Sequence, residues 1–238
     1  MLKNSILLVL GAVLLVACCI NDTVAGSGKV VSKQTEFKDF NRIEVSSAFQ
    51  VEITRGDSFK TEFKLDDNLM QYLKVNQVGS TLKIGMKSGQ RFNCGKGCMQ
   101  AFISMPELRG LELSGATEAT ISGFNSGEVE LELSGASSLR GDFQAEKADM
   151  DLSGASRVKL TGSAKNLELD ASGASDAELE ELVVKIANVD LSGASDVTVN
   201  VSESLSVDAS GASTLTYLGN ATMKSMDTSG ASSIRKKS

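Results

Sequence analysis

Seven acidic residues recur at one place in a repeated phrase. Glu112, Glu132, Asp151, Asp170, Asp190, Asp208 and Asp227 each stand two residues before the serine of a Ser-Gly-Ala triplet. Carboxylates set out in a row can do three things. As hard oxygen ligands they can hold divalent cations, Ca2+ above all. They can face a basic partner. They can also stand as a solvated polar face, with serine hydroxyls and backbone N–H groups at the adjoining corner as donors. Like charges one strand spacing apart, about 4.8 Å, repel by roughly 0.9 kcal/mol even in bulk water. The column is therefore solvated or compensated. The Gly- and Asp-rich nonapeptide that binds Ca2+ in other β-helices is not matched here.

Two further columns carry hydroxyls. Ser114, Ser134, Ser153, Ser172, Ser192, Ser210 and Ser229 open the phrase, and Thr117, Ser137, Ser156, Ser175, Ser195, Ser213 and Ser232 follow it. A serine nucleophile needs a base beside it. The chain has no histidine, and no serine of the ladder is made different from its neighbours. The expected role is structural, with small hydroxyls bonding backbone groups of the adjoining coil, and no catalytic residue is expected. Cys94 and Cys98 sit in a Gly-rich loop, Cys94-Gly95-Lys96-Gly97-Cys98. In an exported chain this pair reads first as a local disulfide and second as free thiols. A zinc site would need further ligands nearby.

What positions these residues is a period. The triplet steps along the chain by 20, 19, 19, 20, 18 and 19 residues. Residues before each serine alternate, as in Val129, Leu131 and Leu133 with Glu128, Glu130 and Glu132 between them. That is the signature of a half-buried strand. Glycine then marks a tight corner, and a second short strand leaves it, marked by Val158 and Leu160 in one repeat. One unit cannot bury its own apolar side, but a stack can. The reading is an all-β chain, a single-stranded parallel β-helix (β-solenoid) of about 19-residue coils over residues 109–238, behind a less regular β section.

That section spans residues 35–108. Ile43 to Val51 has the grammar of a coil, with Ser47 in the glycine position. Arg55-Gly56-Asp57 reads as a turn, Phe59–Leu65 and Leu82–Met86 as strands, and residues 67–72 as a helical turn. The section holds a first coil and caps the stack, since an open end leaves strand edges and a bare core. Residues 1–17 read as a secretory signal with an apolar run after Lys3. Leu15-Val16-Ala17-Cys18 is similar to the lipobox of bacterial lipoproteins, which implies a lipid on Cys18 and anchoring to the envelope through buried acyl chains. The alternative is an ordinary signal peptide cut elsewhere. Residues 18–34 then form the lipidated cysteine and a polar tether.

With 30 acidic against 24 basic residues and a net charge of −6, the chain does not read as a nucleic-acid binder. Aromatic residues are 5% of the chain, so platforms for sugar rings are few.

The pattern resembles the head GIN domain family of auto-transporter adhesins over about residues 36–238. The resemblance rests on Phe40-Asn41-Arg42-Ile43-Glu44-Val45, on Gly79-Ser80-Thr81-Leu82-Lys83-Ile84, and on the repeated Leu-Ser-Gly-Ala-Ser phrase. It implies a β-helix on an exported bacterial protein, often a lipoprotein, and brings no functional residues with it. The Cys94–Cys98 loop has no place in that pattern. The expected function is a non-catalytic envelope lipoprotein with an adhesin-like surface for a glycan or protein ligand, held at the outer membrane and facing the periplasm or the exterior. A structural or regulatory envelope component is the alternative, and a polysaccharide-active β-helix enzyme a third.

Overall fold

The structure, a computed structural model, describes residues 23–95 and 97–237. The signal segment, Cys18 and Cys19 lie outside the described residues. The N-terminal part holds β1 (Thr23–Ala25), β2 (Val30–Thr35), β3 (Arg42–Val45), β4 (Gln50–Arg55), β5 (Lys60–Asp66), β6 (Leu73–Val78), β7 (Thr81–Met86), β8 (Arg91–Asn93) and β9 (Met99–Met105), with a single 3-10 turn at Met70–Tyr72. The regular part holds β10 (Gly110–Leu113), β11 (Glu118–Leu133), β12 (Ser138–Leu152), β13 (Arg157–Ala171), β14 (Asp176–Leu191), β15 (Asp196–Ala209), β16 (Thr214–Leu218), β17 (Thr222–Thr228) and β18 (Ser233–Lys236).

From β10 onward each coil lies parallel on the one before, as the period requires. The register runs Leu111–Leu131–Met150–Leu169–Val189–Val207 on one buried column. Ala119–Leu139–Val158–Ala177–Val197–Leu215 forms a second column. Both columns are buried. Apolar side chains thus stack on their own equivalents, and the core is continuous along the axis.

Where two or three short strands per coil are expected, the sequence between one Ser-Gly-Ala corner and the next forms one bent strand of 14–16 residues in β11 to β15. The bends are bulges, where the register shifts between Ile121 and Phe124, between Lys159 and Gly162, and between Leu179 and Val183. Coils of 18 and of 20 residues therefore differ at the bulges, and the corners stay in register.

The corner explains its own sequence. Gly173 has φ +74°, and a Cβ there would run into the carbonyl oxygen of Gly154 one coil below. That carbonyl accepts the Ala174 N–H at 2.8 Å. Glycine is needed both for the left-handed backbone and for the close stack.

The N-terminal section does not stack in chain order. β3 and β4 make a coil directly beneath β10 and β11, but β7 and β9, later in the sequence, lie beneath β3 and β4. The stack is closed by antiparallel strands. β5 pairs with β9, β2 with β5, and β6 with β7. Phe40, Phe49 and Phe63 fill this end and are fully buried. One expectation is corrected: residues 23–34 are not a free tether. β1 pairs with β8, and β2 runs along β5 from Val30 to Thr35. The reason is the edge of β5, whose outer backbone groups need partners that β2 supplies.

Candidate binding faces of the solenoid

The acidic column forms as the alternation requires. Glu112, Glu132, Asp151, Asp170, Asp190, Asp208 and Asp227 lie side by side on successive strands and are exposed. Glu44 extends the column one coil downward beside Glu112, and Lys83 ends it with an ion pair to Glu44. Among the described residues none of the seven has a lysine or arginine ion-pair partner, unlike the column beside it. There Arg42 meets Glu130 at 2.6 Å, and Lys147 lies 3.0 Å from Asp149 and 3.3 Å from Glu168. The uncompensated carboxylates respond. Partial burial, then the Glu112, Glu130 and Asp151 charges, raise the Glu132 carboxyl above its ordinary range. Partial burial, then Asp190 and Asp151, raise Asp170. Among the described residues no three carboxylates converge closely enough to hold a metal ion. A shallow groove of about 370 Å3 runs along Asp151 to Asp208 and the serines beside them.

The two serine columns divide the work of the corner. The first hydroxyl reaches the coil below, as expected: Ser172 Oγ lies 3.3 Å from the Leu152 carbonyl and Ser210 Oγ 3.2 Å from that of Leu191. The second turns inward, is buried, and donates within its own corner, as from Ser175 Oγ to the Ser172 carbonyl at 2.8 Å. The last member of the second column departs from the rest: Ser232 is half-buried and reaches both the Ser229 carbonyl at 2.8 Å and the Ala209 carbonyl at 2.9 Å. Cys94 and Cys98 are disulfide-bonded, with Cα atoms 6.0 Å apart. This loop closes on the cap, where the Gly26 N–H donates to the Asn93 carbonyl at 3.0 Å.

Sequence reasoning missed a cleft of about 570 Å3 at the cap. Its floor is the outer face of β4, β9, β5 and β2. Register places Glu52, Phe102, Glu62 and Gln34 in one row across these strands. Thr54, Ser104 and Lys60 form the next row, and Phe37 and Phe59 line the rim. Thr35 and Thr61, cross-strand neighbours on the inner face of the same sheet, have buried Oγ1 atoms with no hydrogen-bond partner among the described residues. The one signal in the sequence was the half-exposed Phe102 at an outward position of an alternating strand. Its neighbours come from segments about 40 and 50 residues away, so no local pattern could reveal them.

A long parallel stack of near-identical coils with one closed end defines the class of β-solenoid repeat proteins. The comparisons specify it further. The family described as "Putative auto-transporter adhesin, head GIN domain" matches residues 39–221, and the chain belongs to it. Among solved structures it is similar to a putative adhesin of Bacteroides fragilis, with 21% identity and a TM-score of 0.85 over 90% of this chain and 100% of that one. It is also similar to a putative lipid binding protein of Parabacteroides distasonis and a putative adhesin of Parabacteroides merdae, each 17% identical with a TM-score of 0.72 over 91% of this chain and 100% of the other. These likenesses show the fold. Among curated proteins none matches the sequence.

Proposed function

We propose that the protein is a non-catalytic lipoprotein of the bacterial envelope that presents its solenoid as an adhesin-like binding surface. The observation that carries this reading is the uniformity of the stacked coils. Five bent strands repeat one corner, one buried serine and one outward carboxylate, and repetition of this kind favours many equal contacts over one reactive centre. Anchoring through Cys18 fits the same picture. Only residues 19–22 separate Cys18 from β1, a reach of at most about 18 Å. The cap would stand next to the lipid surface, with the coils stacked away from it.

The test is protease shaving of intact cells that express the full-length chain, with a periplasmic protein as control, beside a Cys18→Ala variant. Digestion of the solenoid while the control survives, together with release of the variant from the membrane fraction, supports a surface lipoprotein. Survival in intact cells with digestion after lysis places the solenoid inside the envelope and removes adhesion. Retention of Cys18→Ala in the membrane fraction overturns the anchor.

A further inference from the structure

We infer that the cap cleft is a binding site for neutral sugar residues of a glycan. The inference rests on the binding-surface reading above and adds to the repeated coils one discrete site in the cap. The cleft has the size of small-ligand sites, which run to about 300–1,000 Å3, at about 570 Å3. A pyranose ring has an apolar C–H face and a rim of hydroxyls. The floor of the cleft offers the complement of both.

Phe102 supplies the apolar platform. Glu52 and Glu62 flank it on the neighbouring strands, with Gln34 one strand further on. A carboxylate accepts from two hydroxyls, and a primary amide both accepts and donates. Among the described residues Glu52 and Gln34 have no hydrogen-bond or ion-pair partner in the protein. Glu62 uses Oε1 to accept from Ser32 at 2.7 Å and to face Lys64 Nζ at 3.8 Å, and its Oε2 has no partner among the described residues. Ser104 and Thr54 add hydroxyls on the next row.

Thr35 and Thr61, between the two rows, turn to the opposite, core face of the sheet with Phe63 and Ile103 and do not reach the floor. A second observation is continuity. An adjoining depression of about 310 Å3, lined by Gln50, Gln100 and Glu118, shares Glu52 and Phe102 with the cleft. Phe102 thus stands between two recesses, which suits consecutive units of an oligosaccharide.

Other occupants fit less well. A phosphate or acidic sugar would meet Glu36, Glu52 and Glu62, which outnumber Lys38 and Lys60 in the lining. An acyl chain would lie over carboxylates and hydroxyls. The Lys64 Nζ lies 4.7 Å from the centre of the Phe102 ring, an exposed cation–π contact that a stacking sugar would displace.

The experiment measures binding of the purified full-length protein to immobilised neutral sugar conjugates of galactose, glucose, mannose and N-acetylglucosamine, and to their oligosaccharides. Sialic acid conjugates and phosphatidylglycerol vesicles are the comparison probes. Expected is saturable binding of a neutral conjugate, weakened at least tenfold by Phe102→Ala and by Glu62→Gln. Lys64→Ala keeps or tightens it, and Asp170→Asn on the coils leaves it unchanged. Glu52→Gln keeps shape and volume, so its loss of binding with an unchanged melting curve excludes misfolding as the cause.

Binding of none of the neutral conjugates, preference for vesicles or sialic acid, or indifference to all three cleft variants overturns the inference. The two readings fail separately. Cells whose adhesion survives Phe102→Ala keep the adhesive surface and lose the cleft as its site. Wild-type cells that adhere to nothing lose the broader reading, whatever the purified protein binds.

Discussion

The coils and the cap solve the same problem with opposite means. In the coils every strand lies parallel on a near copy of itself, and like residues meet like along the axis. In the cap, strands meet unlike partners. β2, β5 and β6 run antiparallel to their neighbours, Phe40, Phe49 and Phe63 are fully buried, and the chain places β7 and β9 beneath β3 and β4 out of sequence order. Repetition gives rigidity and length, but it cannot make one position different from the next. The cleft, the two unpartnered threonines and the disulfide loop all lie in the unrepeated part.

The strongest way to break this comparison is to empty the cap. Phe63 is fully buried between β2 and β9, and Phe→Ala in a core costs about 3–5 kcal/mol. Phe63→Ala is expected to unfold the cap before the coils, because a solenoid is held largely by neighbour contacts. Hydrogen exchange should show early loss of protection in β5 and β9 while β13 to β15 stay protected. Uniform loss along the chain would mean that cap and coils form one cooperative unit, and the contrast would be only geometric.

A smaller effect sharpens the contrast at the backbone. Gly79 in the cap and Gly173 in a coil both have positive φ, +58° and +74°. A Cβ at Gly79 meets nothing within 4 Å, whereas one at Gly173 meets backbone of the coil below. Gly79→Ala should cost about 1–2 kcal/mol, the left-handed penalty alone. Gly173→Ala adds overpacking of about 1–3 kcal/mol. Urea midpoints of the two variants measure the stacking term as their difference. Equal losses would show that the coils yield as easily as a surface turn.

The same contrast decides what the sequence could reveal. The corners, the inward columns and the outward carboxylates were legible because each is stated seven times at a fixed spacing. The coil at Ile43 to Val51 was legible because it keeps the repeat's grammar, with Ser47 at φ +76° where the repeats have glycine. β2 was not legible. Val30-Val31-Ser32-Lys33-Gln34-Thr35 has no clean alternation, and it is a strand because the edge of β5 takes it up. Nor was the cleft, whose row joins Gln34, Glu52, Glu62 and Phe102 through pairings that only the folded chain creates. The bulges were hidden for a related reason. The 18- and 20-residue steps were visible, but where the extra or missing residues go shows only in the register shifts between paired strands.

The smallest effect opposes two carboxyls, one from each region. Asp170 in the coils is held above its ordinary range by partial burial and then by the charges of Asp190 and Asp151. Asp67 in the cap is held below it, first by the Ser27 hydroxyl at 2.7 Å and further by Lys29. Between its unfolded and raised folded pKa, Asp170 binds more protons in the folded chain, so its contribution to stability falls as pH rises. The penalty is complete above the folded pKa and absent below the unfolded value near about 3.9. Asp67 has the opposite sign: its contribution is present above its unfolded pKa and is lost as pH falls through the folded one. Asp170→Asn should therefore stabilise the protein at pH 7 by about 0.5 kcal/mol, the scale of exposed charge pairs. That gain should shrink in high salt and disappear in acid. Asp67→Asn should destabilise at pH 7 and become neutral in acid. Melting curves of both variants across pH 3–7 read the two slopes directly. If Asp170→Asn destabilised at neutral pH, the carboxylate column would be contributing favourable contacts, and the coils would owe part of their stability to this face.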